Sequence, residues 1–184
     1  MKTDAKAKNH NKILKTVLTA FFFALAYVLP FLTGQIPEIG SMLCPMHIPV
    51  LLCGFICGWS WGLIVGFFVP LFRALTLGAP ILFPNAVCMA FELAAYGAVA
   101  GIMHKILPKK KAFVYCSLVF SMIVGRLVWG AAMCICVGVR GGFTLSAFFA
   151  SAIINAIPAL IVQIALIPVI VIAAESSNIL KLKD

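Results

Sequence analysis

The sequence predicts an all-α fold, a polytopic membrane protein built as a six-transmembrane-helix bundle with its N- and C-termini cytoplasmic. Three observations predict it. Hydrophobic residues make up 64% of the 184 and charged residues only 10%, with a mean hydropathy of +1.14. Ordinary soluble domains are about half apolar and about a quarter charged. So few polar side chains cannot cover that much apolar surface, and lipid must be the missing solvent. The apolar residues also run continuously, as in Ala20–Leu29, Ala86–Ile106 and Ala112–Val139. Strands of a membrane β-barrel would alternate over about ten positions, whereas a helix satisfies its backbone within its own segment. Finally, all eleven lysines fall in three places: Lys2, Lys6, Lys8, Lys12 and Lys15; Lys105, Lys109, Lys110 and Lys111; Lys181 and Lys183. With six helices these places share one side, which the positive-inside rule makes cytoplasmic. Glu38 and Arg140 fall on the other.

The elements follow in order. Residues 1–11 form a basic cytoplasmic tail, expected to be disordered. The transmembrane domain covers residues 12–175, and residues 176–184 form a second cytoplasmic tail. Helix 1 is predicted over Ile13–Leu29, where Pro30 stops it. The sequence after it, Pro30-Phe31-Leu32-Thr33-Gly34, lacks a small-residue cleavage site, so this helix reads as retained rather than as a signal peptide. Phe31–Pro45 is a long loop containing Gly34, Pro37 and Gly40. Helix 2, His47–Gly58, is short. Gly58-Trp59-Ser60-Trp61-Gly62 reads as a tight turn with interfacial tryptophans. Helix 3 covers Leu63–Leu77, broken by Gly78-Ala79-Pro80, and helix 4 runs from Pro84 to Leu107. Helix 5 covers Ala112–Val139, Arg140-Gly141-Gly142 turns, and helix 6 covers Leu145–Ala174.

The net charge of +9 is therefore a signal of topology. A nucleic-acid partner would need a soluble basic surface. The seven cysteines read as small, weakly polar packing residues. Cys53 and Cys57 lie one turn apart and Cys134 and Cys136 point to different faces, but neither pair has a nearby His or carboxylate to complete a metal site. No phosphate-binding loop and no hydrolase or metalloprotease motif occurs, so the chain is read as neither an ATPase nor an enzyme, and as needing no cofactor of its own.

Polar residues within the apolar runs are the candidates for function, since a charge at a helix centre costs about 2.5–3.5 kcal/mol on insertion scales. Arg73, Glu92, Arg126 and Asn155 stand out. At 1.5 Å per residue, Arg73 and Glu92 lie about 6 Å and about 10 Å below the outer helix ends, and Arg126 and Asn155 roughly 15–18 Å below them. All four fall in the outer half or at the middle of the bundle, where an outward-open cavity would be. Glu92 pairing with Arg126 or Arg73 as structural glue is the alternative. Asn85 reads as a ligand contact or a helix cap, His47 as a ligand contact or an interfacial residue, and Trp129 as a ligand contact or packing. Tyr96, Thr144 and Gln163 read as packing or interface residues. Ala20 and Ala24 form a small-x-x-x-small pair on one face of helix 1, which allows close helix approach in lipid.

Several stretches resemble the S components of energy-coupling factor (ECF) transporters. They are the helix 1 alanine pair, Gln35-Ile36-Pro37-Glu38-Ile39-Gly40, Leu43-Cys44-Pro45-Met46-His47-Ile48-Pro49-Val50-Leu51-Leu52-Cys53-Gly54, Phe67-Phe68-Val69-Pro70-Leu71, and Phe83-Pro84-Asn85-Ala86-Val87-Cys88-Met89-Ala90-Phe91-Glu92-Leu93. The resemblance covers Leu14–Leu107 closely and the last two helices in outline. It implies a membrane subunit that binds a water-soluble vitamin near the outer face, under the loop between helices 1 and 2. It also implies docking through Ala20 and Ala24 onto a membrane T component, with two separate ATPase subunits powering delivery. Pro45-Met46-His47-Ile48-Pro49 is most similar to pantothenate-type members, and intramembrane arginines suit a carboxylate. Riboflavin, cobalamin and pyridoxine-type substrates are the alternatives. A membrane scaffold or a small ion-coupled carrier is the competing class.

Overall fold

The computed structural model describes residues 2–33, 44–108, 110–138 and 157–176. Among them every regular element is helical. Helix α1 spans Lys2–Val28. It begins well before the predicted Ile13, so most of the basic segment expected to be disordered is helical. The reason is local: Lys, Ala and Leu are good helix formers, and neither Gly nor Pro occurs before Pro30. A short 3-10 turn, Leu29–Thr33, closes α1.

Helix α2, His47–Cys57, has eleven residues and is about 16 Å long, roughly half of a bilayer's hydrocarbon thickness. Ile56 apart, all its residues are buried. Gly58 alone then turns the chain with a positive φ of 106°, a conformation that side chains other than glycine's resist. Helix α3 starts at once and covers Trp59–Leu77. The predicted turn over residues 58–62 is therefore a single residue, and Trp59 and Gly62 belong to α3. Gly78, left-handed at φ 67°, ends that helix by donating its N–H to the Ala74 carbonyl at 3.0 Å, the usual glycine stop. A wide turn at Leu82–Ala86 leads into α4, Val87–Ile106. Helix α5 covers Lys111–Cys136 and α6 covers Ile157–Ser176. The predicted first turns of helix 6, with Asn155 and Thr144, lie outside the described residues.

Five described helical segments are long and apolar enough to cross a membrane: Asn11–Phe31, Trp59–Leu77, Leu82–Ile106, Lys111–Cys136 and Ile157–Ser176. Among the described residues five of the six expected spans are therefore long enough to cross, and α2 is a short helix buried inside the bundle. Their outer faces are apolar, with Phe21, Phe68, Leu127, Ile161 and Val169 exposed, as lipid contact requires.

Helix α4 is the centre of the fold, packed against α2, α3 and α5. Glycines bring three of these helices into backbone contact. A Cβ placed on Gly62 of α3 would lie 2.7 Å from the Gly97 carbonyl oxygen of α4 and 2.8 Å from the Gly54 Cα of α2. Gly66 meets the Leu93 backbone and Gly101 the Trp59 backbone in the same way. Lipid tails are as apolar as the side chains they would replace, so helices in a membrane associate through close packing of this kind rather than by expelling water. Around that contact lie Leu51, Val65, Val69, Leu93, Tyr96 and Leu118.

Candidate functional site

The starts of α2 and α4 and the second half of α5 meet at one end of the bundle, away from the Lys105–Lys111 connection. Four side chains converge there. Arg126 places Nη1 3.0 Å from Glu92 Oε1, and His47 Nε2 lies 3.5 Å from the same oxygen. The Tyr96 ring meets the His47 ring edge-on, centroids 5.1 Å apart. Each placement has a local cause. His47 is the first residue of α2. Glu92 and Tyr96 are four apart on α4 and so share a face. Gly125 leaves room for the Tyr96 ring, whose carbons would lie 2.8 Å from any Cβ there, and so seats Arg126 beside it.

The electrostatics are demanding. The Glu92 side chain is 2% exposed and that of Arg126 18%. A buried carboxylate persists as a charge only when paired and hydrogen-bonded. Arg126 supplies the pairing, but the hydrogen bonding is incomplete. Among the described residues, Glu92 Oε1, Arg126 Nε and both ring nitrogens of His47 are buried without a hydrogen bond of good geometry. Clustered unmet polar atoms of this sort call for an explanation, and a polar ligand is one.

Cys44, which the sequence did not single out, joins the cluster. Arg126 Nη2 lies 3.9 Å from its sulfur. Its backbone is left-handed, φ 44°, a strained conformation for a residue with a side chain. Burial pushes its thiol above the ordinary value against the opposing pull of Arg126, and its sulfur accepts from the guanidinium.

The other sequence candidates sit elsewhere or at the margin. Trp129 is half-buried and, three residues beyond Arg126, lies on the same face of α5. Asn85 is exposed in the turn before α4, and the start of that helix has no side-chain cap. Arg73 does not join the cluster. It is 3% exposed, and its Nη1 donates to the Tyr27 carbonyl at the end of α1 at 2.7 Å. Its guanidinium stacks 4.9 Å from the Phe31 ring. It closes off α1 as a cation at a helix C-terminus does, fixing α1 to α3. Asn155 lies outside the described residues. On α1, Ala20 and Ala24 are both exposed.

A second polar pair occupies the opposite end of α4, about 18 Å from Glu92. His104 Nε2 lies 3.3 Å from Glu175 Oε1 of α6, under the Phe55 ring. The sequence offered only the bare presence of a histidine in the last turn of α4.

A family model described as ECF transporter, substrate-specific component, matches residues 14–173. No curated protein and no solved structure gives a match.

Proposed function

The chain belongs to the ECF transporter substrate-specific component family, and from that premise we propose that it is an S component whose ligand, a water-soluble vitamin, sits at the Glu92–Arg126–His47 cluster. The family is one of transporter substrate-binding subunits embedded in the membrane, not of enzymes. The observation that carries the proposal is the held but unfinished state of Arg126. Glu92 neutralises it and fixes its plane, while Nε has no partner among the described residues. A guanidinium carries five donors in a rigid fork, so donors remain for a carboxylate or carbonyl of a ligand. His47 and the Cys44 thiol add polar atoms on the same side. Pantothenate, with one carboxylate and several hydroxyl and amide groups, is the substrate this donor set suits best. Asn155, Trp129 and Asn85 complete the proposed site. Arg73 supports it by holding α1 against α3.

The lysine distribution orients the cluster toward the outside, with both termini cytoplasmic and α2 as the sixth, shortened member of the bundle. The decisive experiment is to purify the protein and identify the small molecule that accompanies it by mass spectrometry. A stoichiometric vitamin carrying a carboxylate is expected. Recovery of an uncharged vitamin would remove pantothenate, and recovery of lipid alone would remove the binding role.

Delivery inward is proposed to need a T component and two ATPases, docked through α1. Ala20 and Ala24 are exposed beside Ile13, Val17, Phe21 and Val28, an apolar face with two shallow positions where a second helix approaches closely. Ala20→Trp and Ala24→Trp are expected to leave vitamin binding by the isolated protein unchanged and to abolish uptake by the reconstituted complex. Normal uptake by both variants would rule out α1 as the docking surface.

A further inference from the structure

The corner where α4 turns into α5, at the end of the bundle away from Glu92, gathers positive charge. Helix α4 ends at Ile106 and α5 begins at Lys111, so only residues 107–110 separate them. The turn is tight. The Lys110 N–H donates to the Pro108 carbonyl at 2.8 Å and the Phe113 N–H to the Lys110 carbonyl at 2.9 Å. Lys105, in the last turn of α4, thus shares one corner with Lys110 and Lys111. All three are exposed, and none enters an ion pair among the described residues. The first turn of α5 holds no acidic residue, and Glu175, at this end of the bundle, pairs with His104 instead. Beside the lysines the surface is apolar. Ile102 and Ile106 of α4 are exposed, as are Tyr115 and Val119 of α5. Lys111, Tyr115 and Val119 are spaced by four and so share a face, with the tyrosine ring at the level suited to a membrane interface.

We propose that this corner is a binding site for an anionic phospholipid, with Lys105, Lys110 and Lys111 around the headgroup phosphate and an acyl chain along Tyr115 and Val119. Charge and apolar surface together select that occupant. A lysine ammonium is a compact charge with three donors and holds phosphate well. A soluble phosphate would answer the lysines and leave the apolar strip uncovered. A zwitterionic lipid would cover the strip but bring a cation of its own to the lysines. An anionic phospholipid answers both. The orientation proposed above puts the corner at the inner leaflet, where anionic lipids attract basic segments next to membrane helices. The binding itself rests neither on that orientation nor on the vitamin site.

The test titrates the full chain in detergent with dioleoyl phosphatidylglycerol and, in parallel, with dioleoyl phosphatidylcholine, and reads lipid adducts by native mass spectrometry. Phosphatidylglycerol is expected to form an adduct that survives activation at which phosphatidylcholine is stripped, and to raise the melting temperature. Lys105→Gln, Lys110→Gln and Lys111→Gln should each weaken phosphatidylglycerol binding about fivefold, and the triple variant should melt as wild type without lipid. Lys12→Gln with Lys15→Gln, on α1, which packs chiefly against α2 and α3, is the control and should bind as wild type. An equal loss in that control would overturn the proposal, because the attraction would then belong to the net charge of +9 and not to this corner. Equal retention of the two lipids, or displacement of phosphatidylglycerol by millimolar inorganic phosphate, would also overturn it, the latter by showing a site for a small anion. So would a triple variant that binds phosphatidylglycerol as wild type but loses uptake in the reconstituted complex, which would assign the lysines to an acidic surface of a partner subunit.

Discussion

Arg126→Ala is expected to lose the ligand and to weaken the fold together. Glu92 is 2% exposed, and Arg126 is the cation that balances it. Removing one partner of a buried ion pair costs about 3–5 kcal/mol, because the other charge is left uncompensated. Thermal unfolding of the variant in detergent should fall accordingly. Its affinity for the co-purified vitamin should drop about thirtyfold or more, the effect of truncating a buried hydrogen-bonded charge. The double variant Arg126→Met, Glu92→Gln separates the two losses. With both charges gone and volume kept, stability should return toward wild type while binding stays lost. Unchanged affinity in either folded variant would mean that Arg126 only ties α5 to α4, and the site would have to be sought elsewhere.

The largest effect on folding is expected from Gly97→Leu. Gly97 faces backbone, with the Gly62 Cα 2.8 Å from where its Cβ would stand. Backbone cannot rotate aside as a side chain can. Overpacking a core typically costs about 1–3 kcal/mol, occasionally more; Gly97→Ala should reach the upper end of that range, and Gly97→Leu should yield no monodisperse protein on size-exclusion chromatography. Gly138→Ala, at a position with nothing within 4 Å among the described residues, is the control and should elute and melt as wild type. A wild-type profile for Gly97→Leu would mean that α3 and α4 do not touch as described.

The helical membrane character was legible because it rests on composition and on where apolar runs stop. Pro30, Gly78 and Pro108 end helices within a few residues of where chain chemistry says they must. What was misread is instructive. Gly58 and Gly62 look alike in sequence and enclose two tryptophans, so the stretch reads as a turn. Only Gly58 takes a positive φ, whereas Gly62 serves close packing, and a sequence does not say which of the two uses of glycine applies. The start of α1 was missed because polarity was taken for disorder, although lysine and alanine both favour helix. Within the site, Glu92 and Arg126 were legible because charge in an apolar run is expensive and so must be partnered. The separation of Arg73 from them was not, since depth along a helix says nothing about which way a helix faces. Cys44 left no signal beyond its place just before Pro45-Met46-His47.

The glycine contacts also have a mechanical consequence. Two surfaces meeting through side chains can slide by changing rotamers, but surfaces meeting backbone to backbone have no such compliance. Helices α2, α3 and α4 therefore behave as one stiff plate, and His47 and Glu92 are both fixed in it. Arg126 is not, since it rides on α5, which meets the plate through the Tyr96 ring and other side chains. The 3.0 Å contact between Arg126 and Glu92 thus lies across the boundary between the glycine-packed block and a helix that meets it through side chains. A ligand at the proposed site would act at that boundary, where a small displacement of one helix would change the shape of the site without deforming the block that holds the rest of it.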